Sequence, residues 1–272
     1  MPNSGFNSFN IPTTITFRNS SGYLLYKYNT QGGTIMKIGI TERGDAGLNM
    51  VWVEKLKTVD MTVLITKNIT KIFAKNVLKA HNAGHKLIVH CTCTGYGGSE
   101  LEPNVPNYKT QLNSLKALID MGFPSEQCVL RIDPIFPSEK GLQRVRDVLE
   151  YFRTLNINVL RIRVSIVDEY RHVKERYRQR GWEPLYGDNM YASAKQVQMV
   201  ADVLNSYNYC YEVCAENHLA KKLKAVAVCG CVSIHDMDIF GLPYRLDEVL
   251  NPQNRSVLSN RNMLLIPHRI YV

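Results

Sequence analysis

The stretch KLIVHCTCTGYGGSELEP, residues 86–103, decides the predicted fold. Its first part, residues 87–91, is short, apolar and β-branched, which indicates a buried parallel strand. Three glycines then allow sharp turns and the close approach of a ligand, namely Gly95, Gly97 and Gly98. Glu100 and Glu102 follow, and their carboxylates can accept hydrogen bonds from an ammonium group or from hydroxyls. The stretch therefore predicts a strand that ends in a ligand-binding loop, with a plain surface loop as the alternative.

Strands and helices alternate on both sides of this stretch. Short apolar runs predict six strands, at residues 35–40, 61–65, 87–91, 128–132, 158–166 and 209–214. Predicted helices lie between them, at residues 50–56, 69–83, 108–121, 138–155 and 193–207. Such alternation implies parallel pairing through right-handed crossovers. We therefore predict an α/β protein with a partial TIM-like (β/α)6 barrel over residues 34–214, and a doubly wound sheet is the alternative.

The two ends of the chain lie outside this repeat. Residues 1–33 are polar with a tyrosine-rich run, which predicts an N-terminal arm or a small hairpin. Residues 215–272 lack the alternation, so we expect an irregular C-terminal tail that packs on the barrel. Two local signals mark helix boundaries in the repeat. Ser138 can cap a helix, and Gly122 is a plausible helix end because Pro124 follows it.

Composition limits the class of protein. The chain has 272 residues, of which 45% are hydrophobic and 21% charged, as in ordinary globular proteins. No apolar run approaches the roughly 18 residues of a membrane span, so we expect a soluble, cytoplasmic protein without a membrane partner. Seven cysteines without framework spacing favour reduced thiols or metal ligands. The net charge of +9 favours phosphate-rich partners, of which nucleic acid is the commonest.

Polar side chains follow every predicted strand. In parallel α/β barrels the reactive groups lie just after the strands, on one face. Four such residues are candidates for holding a substrate during catalysis: Arg43, Lys67, Asp133 and Asp168. Structural salt bridges among the strand-end groups are the alternative, because buried charges need partners.

Two further sequence patterns could form a metal site or a nucleic-acid-binding surface. The Cys-x-Cys pairs at residues 91–93 and 229–231 could bind zinc or an iron–sulfur cluster, although cysteine is often merely buried. Residues 169–180, EYRHVKERYRQR, interleave arginine with tyrosine, a composition that suits phosphates and stacked bases. A charged helix face in water would have the same composition.

An ordered set of motifs carries a family resemblance. The runs are ITERGDAGLNMVWVEKL, ITKN, TGYGGSELEPNVP, RIDPIFPSEKG, RIRVSIVDEY and VCAEN. Over residues 37–242 they resemble the photolyase-like branch of the radical S-adenosylmethionine proteins, distant relatives of spore photoproduct lyase often labelled DNA repair photolyases. The resemblance implies a partial (β/α)6 barrel. It also implies reductive cleavage of S-adenosylmethionine at a [4Fe-4S] cluster, which needs an electron donor.

The resemblance also implies roles for particular residues. Gly97, Gly98 and Glu100 look like the element that receives the cofactor's amino group, and Arg131 looks like the partner of its carboxylate. Members of this branch carry the cluster cysteines near the C-terminus, whereas residues 266–272 read IPHRIYV. Other cysteines then become the candidate metal ligands, namely Cys214, Cys229 and Cys231.

Three functions are therefore open. The first is a radical S-adenosylmethionine-type enzyme that acts on nucleic acid or a nucleotide, in repair or modification. The second is a cluster-free barrel that binds S-adenosylmethionine or nucleic acid without radical chemistry. The third is a metal-dependent hydrolase on a TIM-like barrel, with Glu100, Glu102, Asp133 and His90 as ligands.

Overall fold

The structure is a computed structural model that describes residues 14–19, 22–27, 38–41, 44–159, 161–214, 216–224, 226–230, 232–242 and 263–265. The strands in these residues are β1 Thr14–Asn19, β2 Gly22–Lys27, β3 Ile38–Ile40, β4 Met61–Thr66, β5 Leu87–Thr92, β6 Cys128–Ile135, β7 Ile162–Ile166, β8 Tyr211–Cys214, β9 Val226–Cys229 and β10 Met263–Leu265. The α-helices are α1 Trp52–Lys55, α2 Lys71–Asn82, α3 Tyr108–Asp120, α4 Glu139–Thr154, α5 Arg171–Gln179, α6 Ala194–Asn205, α7 Asn217–Ala220 and α8 Ile234–Asp238.

The main sheet is parallel throughout. Its strand order is β10-β3-β4-β5-β6-β7-β8-β9. Strands β1 and β2 form a separate antiparallel pair in the region predicted as an arm or hairpin. The predicted α/β class is therefore confirmed as an open parallel sheet flanked by helices. Among the described residues β9 and β10 are the two edges of this sheet, so closure into a barrel stays a prediction.

The predicted strands and the observed strands differ at the C-terminal end. The six predicted strands correspond to β3 through β8. Strands β9 and β10 come from the region that we predicted to be an irregular tail, and both join the sheet in parallel. Each has only three or four residues, which is too short for a periodic pattern to distinguish a strand from a loop.

Side chains of the central strands alternate between two apolar layers. On one side, Leu64 and Leu130 pack with the buried side chains of α2, α3, α4 and α6. We call the opposite side the inner face. There Val63 and Val129 share a smaller apolar cluster with side chains of residues 232–242, the segment that follows β9. This segment covers part of the inner face where the strand side chains are apolar.

Local signals set the helix boundaries. The side chain of Ser138 accepts a hydrogen bond from the backbone N–H of Gly141, so the predicted cap of α4 is confirmed. Helix α3 ends at Asp120, and Gly122 follows with a φ of +103°, which glycine adopts without strain. Three other helices, α2, α3 and α6, begin with side-chain caps from Thr70, Asn107 and Ser193. Within the described residues, no helix combines the length and the apolar character that crossing a bilayer requires.

Two adjacent residues of α2 test the packing of this layer. Phe73 is fully buried and contacts Trp52 edge to face, whereas Ile72 is 66% exposed. We expect Phe73→Ala to lower the free energy of unfolding by about 3–5 kcal/mol, because it leaves a cavity in the core. Ile72→Ala is the control and should change it by less than about 0.5 kcal/mol. Urea denaturation measures both, and equal losses would contradict the packing described here.

Candidate functional site

Polar side chains of five neighbouring strands meet at one edge of the sheet. Because β4 to β8 run parallel, their carboxyl ends lie on the same side. We call this side the carboxyl edge, and its ionisable residues lie on or just after the strands: Lys67, Glu102, Arg131, Asp133, Asp168 and Glu216. In open and closed parallel α/β sheets this edge is where ligands bind.

Glu102 connects two strand ends at the carboxyl edge. One of its oxygens pairs with the Nζ of Lys67, which follows β4. The other oxygen accepts a hydrogen bond of 2.5 Å from the Oγ1 of Thr94, which follows β5. The Glu102 side chain is 13% exposed. A carboxylate has about four acceptor positions, so Glu102 can accept a further donor from a ligand.

The glycine loop directs Glu102, rather than Glu100, towards the sheet. Gly98 has a φ of +78°, and its N–H donates to the carbonyl oxygen of Glu102 at 3.0 Å. A Cβ on Gly97 would lie 1.9 Å from the carbonyl oxygen of Pro106, so no side chain fits there. Both glycines are therefore needed for the turn, while Glu100 stays exposed.

Asp45 fixes the backbone at the end of β4. Its Oδ1 accepts hydrogen bonds from the Oγ1 of Thr66 at 2.5 Å and from the N–H of Gly47 at 2.8 Å. Its Oδ2 accepts one from the N–H of Lys67 at 2.7 Å. These contacts use the carboxylate to hold the loop in place. Asp45 therefore positions Lys67 rather than offering itself to a ligand.

Arg131 and Asp133 form an ion pair on β6. The Nε of Arg131 donates to an oxygen of Asp133 at 2.8 Å, and the two side chains are 18% and 16% exposed. Arg131 is in register with Thr92 on β5 and Arg163 on β7, so the three side chains share the inner face. A guanidinium has five N–H donors, which leaves Arg131 able to bind a second acceptor.

Glu216 lies near two other carboxylates at the ends of β6 and β7. Its Oε1 accepts a hydrogen bond from the N–H of Ile166. Burial raises the pKa of Glu216 to about 8, and the charges of Asp168 and Asp133 add to this, against the lowering effect of the Ile166 contact. At neutral pH Glu216 therefore keeps its proton, whereas an ordinary glutamate has lost it.

A buried ion network lies deeper on the inner face. It consists of four side chains, namely Arg161, Arg163, Glu212 and Asp236. The Arg163 Nη2 to Glu212 Oε2 distance is 2.6 Å, and the Arg161 Nη2 to Asp236 Oδ1 distance is 2.7 Å. Burial opposes ionisation of Glu212, but the charges of Arg163 and Arg161 and the hydrogen bonds from His235 and Arg161 together outweigh it and hold the pKa of Glu212 well below its usual range. Arg161, Arg163 and Glu212 of the strand region therefore form structural ion pairs, the alternative that the sequence left open, and Asp236 of α8 joins them.

The cysteines that the structure describes do not converge on one site. Cys91, Cys93 and Cys128 are buried in the helix-side core, whereas Cys214 and Cys229 are in register on the adjacent strands β8 and β9. Burial raises the pKa of Cys91, Cys128 and Cys229 to about 12. Cys231, the third predicted metal ligand, lies outside the described residues. In the part of the chain that the structure describes, no three His, Cys, Asp or Glu side chains could hold a metal ion.

The predicted catalytic residues fall into two groups. Lys67, Asp133 and Asp168 all lie at the carboxyl edge, where Lys67 and Asp133 have the ion-pair partners given above. Arg43 lies outside the described residues. The structure also brings Thr94 to the site, through its contact with Glu102, and this role had no signal in the sequence.

The arginine-rich segment forms helix α5 after β7. Lys174 is buried and donates to the carbonyl oxygens of Gly187 and Asn189, which fixes the following loop. The other basic side chains are exposed, and Tyr170 stacks on His172 with ring centroids 5.8 Å apart. Helix α5 therefore has a cationic, partly aromatic surface. It belongs to the segment that follows β7 and so begins at the carboxyl edge.

The raised pKa of Glu216 predicts a pH effect on stability. A carboxyl group whose folded pKa exceeds its unfolded value stabilises the fold fully below the unfolded pKa and loses this effect as pH rises through the folded one. From about pH 4.5 to about pH 8, the wild type should therefore lose stability relative to Glu216→Gln, which stays neutral. The slope should be at most about 1.4 kcal/mol per pH unit.

Urea denaturation at several pH values measures this difference. Glu183→Gln, at an exposed position, is the control and should follow the wild type. If the wild type and Glu216→Gln keep a constant difference across this range, Glu216 is not protonated in the folded state.

Comparison with known proteins identifies the family of the chain. No curated protein matches it. Residues 48–244, more than half of the chain, match the family described as a domain of unknown function, DUF1848. The match runs from the turn before α1 to just beyond α8, and so includes the glycine loop and the carboxyl edge from β4 to β8. The chain therefore belongs to the DUF1848 family.

Proposed function

We propose that this protein binds S-adenosylmethionine at the carboxyl edge, as an enzyme of the radical S-adenosylmethionine type that acts on a nucleotide or nucleic acid. The proposal includes a partial barrel. The partial barrel is supported by the consecutive order of β3 to β9 and by the large core that these strands share with the helices on one side of the sheet. The motif resemblance over residues 37–242 supplies the cofactor class.

One observation carries the proposal. Glu102 and Arg131, a carboxylate and a guanidinium with remaining hydrogen-bonding capacity, lie at the ends of neighbouring strands. The methionine part of the cofactor ends in an ammonium and a carboxylate, which need these two partners. Glu102 takes the role that the resemblance assigns to Glu100, because Glu102 faces the sheet and Glu100 is exposed.

The proposal of a nucleic-acid substrate rests on different features of the chain. The net charge is +9, and α5 carries exposed basic side chains next to the Tyr170–His172 stack. Arg176 and Arg178 form no ion pair with any residue that the structure describes. Exposed guanidinium groups beside aromatic rings suit a phosphate backbone with stacked bases.

The cluster does not fit the described residues. A radical-type [4Fe-4S] cluster needs three thiolates. Among the described residues Cys214 and Cys229 are in register on adjacent strands, whereas Cys91, Cys93 and Cys128 are buried in the helix-side core. A third thiolate has to come from outside the described residues, where Cys231 is two positions beyond Cys229. No reaction step is therefore derived through a cluster. The proposal concerns the binding of the cofactor by this chain's own side chains.

A matched pair of variants tests the cofactor site. We expect calorimetry to detect binding of S-adenosylmethionine, and Glu102→Gln to weaken it by about tenfold or more. A charge-assisted hydrogen bond contributes about 1.5–3 kcal/mol, and about 1.4 kcal/mol is a factor of ten. Glu100→Gln, two residues away on the exposed side of the loop, should change the affinity by less than about twofold.

The other outcomes each contradict part of the proposal. A folded wild type that binds no S-adenosylmethionine contradicts the cofactor. A large effect of Glu100→Gln with none of Glu102→Gln contradicts the role of Glu102. Iron analysis after anaerobic reconstitution reports on the radical type separately, because about four irons per chain are expected for one cluster.

A further inference from the structure

Three buried side chains on the inner face carry polar atoms that have no hydrogen-bond partner. One of them, Arg161, uses its Nε and Nη2 in the ion network described above. Both ring nitrogens of His90, the Oγ1 of Thr92 and the Nη1 of Arg161 contact no donor or acceptor. These residues are 1%, 3% and 8% exposed. Leaving a buried polar group unsatisfied costs about 1–3 kcal/mol, so native proteins rarely do so. Three such groups on one face therefore indicate a place where a polar ligand is bound.

The three side chains lie around one point of the sheet. His90 and Thr92 are two residues apart on β5, so both point to the inner face. His90 is in register with Val129 of β6. Arg161 directly precedes β7, and its carbonyl oxygen accepts a hydrogen bond from Leu130, the residue after Val129. Val129 has an apolar side chain, so it cannot satisfy either polar neighbour.

The unpaired atoms of His90, Thr92 and Arg161 are mainly hydrogen-bond donors. The Nη1 of Arg161 can only donate, while the Thr92 hydroxyl and one nitrogen of a neutral imidazole can each donate once. Burial lowers the pKa of His90, and the charges of Arg163, Arg131 and Arg161 add to this, with only Glu212 acting the other way. The surroundings of His90 are therefore cationic, and the complementary ligand is compact, negatively charged and rich in acceptors.

We propose that His90, Thr92 and Arg161 form a binding site for an oxyanion, the phosphate or carboxylate group of a substrate. Thr92 and Arg131 share one register level, and Asp133 is two residues further along β6 towards the carboxyl edge. The anionic group thus lies deeper on the inner face than the Glu102 site. The oxyanion site stands on its own residues. Only its assignment to a substrate rests on the proposed function.

Calorimetry in a phosphate-free buffer tests the site with inorganic phosphate as the probe. Thr92→Val removes the hydroxyl but keeps the shape, and it should weaken phosphate binding by at least about tenfold. His90→Asn should do the same. Thr62→Val is the control, because Thr62 is a buried strand threonine that points to the other side of β4 from Val63. It should bind phosphate like the wild type.

Further probes separate the possible sources of the anion. Thymidine monophosphate that binds more tightly than inorganic phosphate supports a nucleotide phosphate, and acetate that binds more tightly than both supports a carboxylate. The imidazole nitrogen resonances of His90 should shift with any bound anion. A folded wild type that binds none of these probes overturns the site, as does Thr92→Val binding phosphate like Thr62→Val, whether or not His90→Asn folds.

A variant of the cofactor site tests whether the oxyanion site is separate from it. Glu102→Gln should leave phosphate binding unchanged, because Glu102 lies in the loop after β5 and not among His90, Thr92 and Arg161. Loss of phosphate binding in Glu102→Gln would overturn the separation of the two sites. Binding of phosphate without binding of S-adenosylmethionine contradicts the proposed function and supports the oxyanion site.

Discussion

The ion pairs among Arg161, Arg163, Glu212 and Asp236 hold the inner face together. Buried charges are stable only when paired, and here two guanidinium groups face two carboxylates from different elements. Asp236 comes from α8, so these contacts bind the segment after β9 onto β7 and β8. Val232 and Met237 of that segment complete the inner apolar cluster. Removing one of the four charges would leave a buried partner uncompensated.

This arrangement divides the inner face into two parts. The apolar part is covered by residues 232–242, and the ion network satisfies the charges beneath them. The part around His90 and Thr92 retains unsatisfied polar atoms, and beyond it lies the carboxyl edge with Glu102. Burying a polar side chain without a hydrogen-bond partner costs free energy. The concentration of such side chains here is why both proposed binding sites lie on one side of the sheet.

The sequence predicts the repeating part of this fold well, because periodicity is a local property. Six strands, the cap at Ser138 and the helix end at Gly122 follow from patterns within a few residues. The parallel topology then places Lys67 and Asp133 at one edge. The choice between Glu100 and Glu102 depends on the backbone path through the glycine turn. Pairs such as Arg161 with Asp236 are 75 residues apart, so no local pattern indicates them.

Hydrogen–deuterium exchange with saturating S-adenosylmethionine tests most directly the claim that the carboxyl edge binds the ligand. Residues 66–68 and 94–102 contain the contacts of Glu102 with β4 and β5, so their amides should become protected. Residues 84–86 and 124–127 precede β5 and β6 at the opposite edge and should exchange at an unchanged rate. Protection confined to the opposite edge, or none at saturation, would contradict the account.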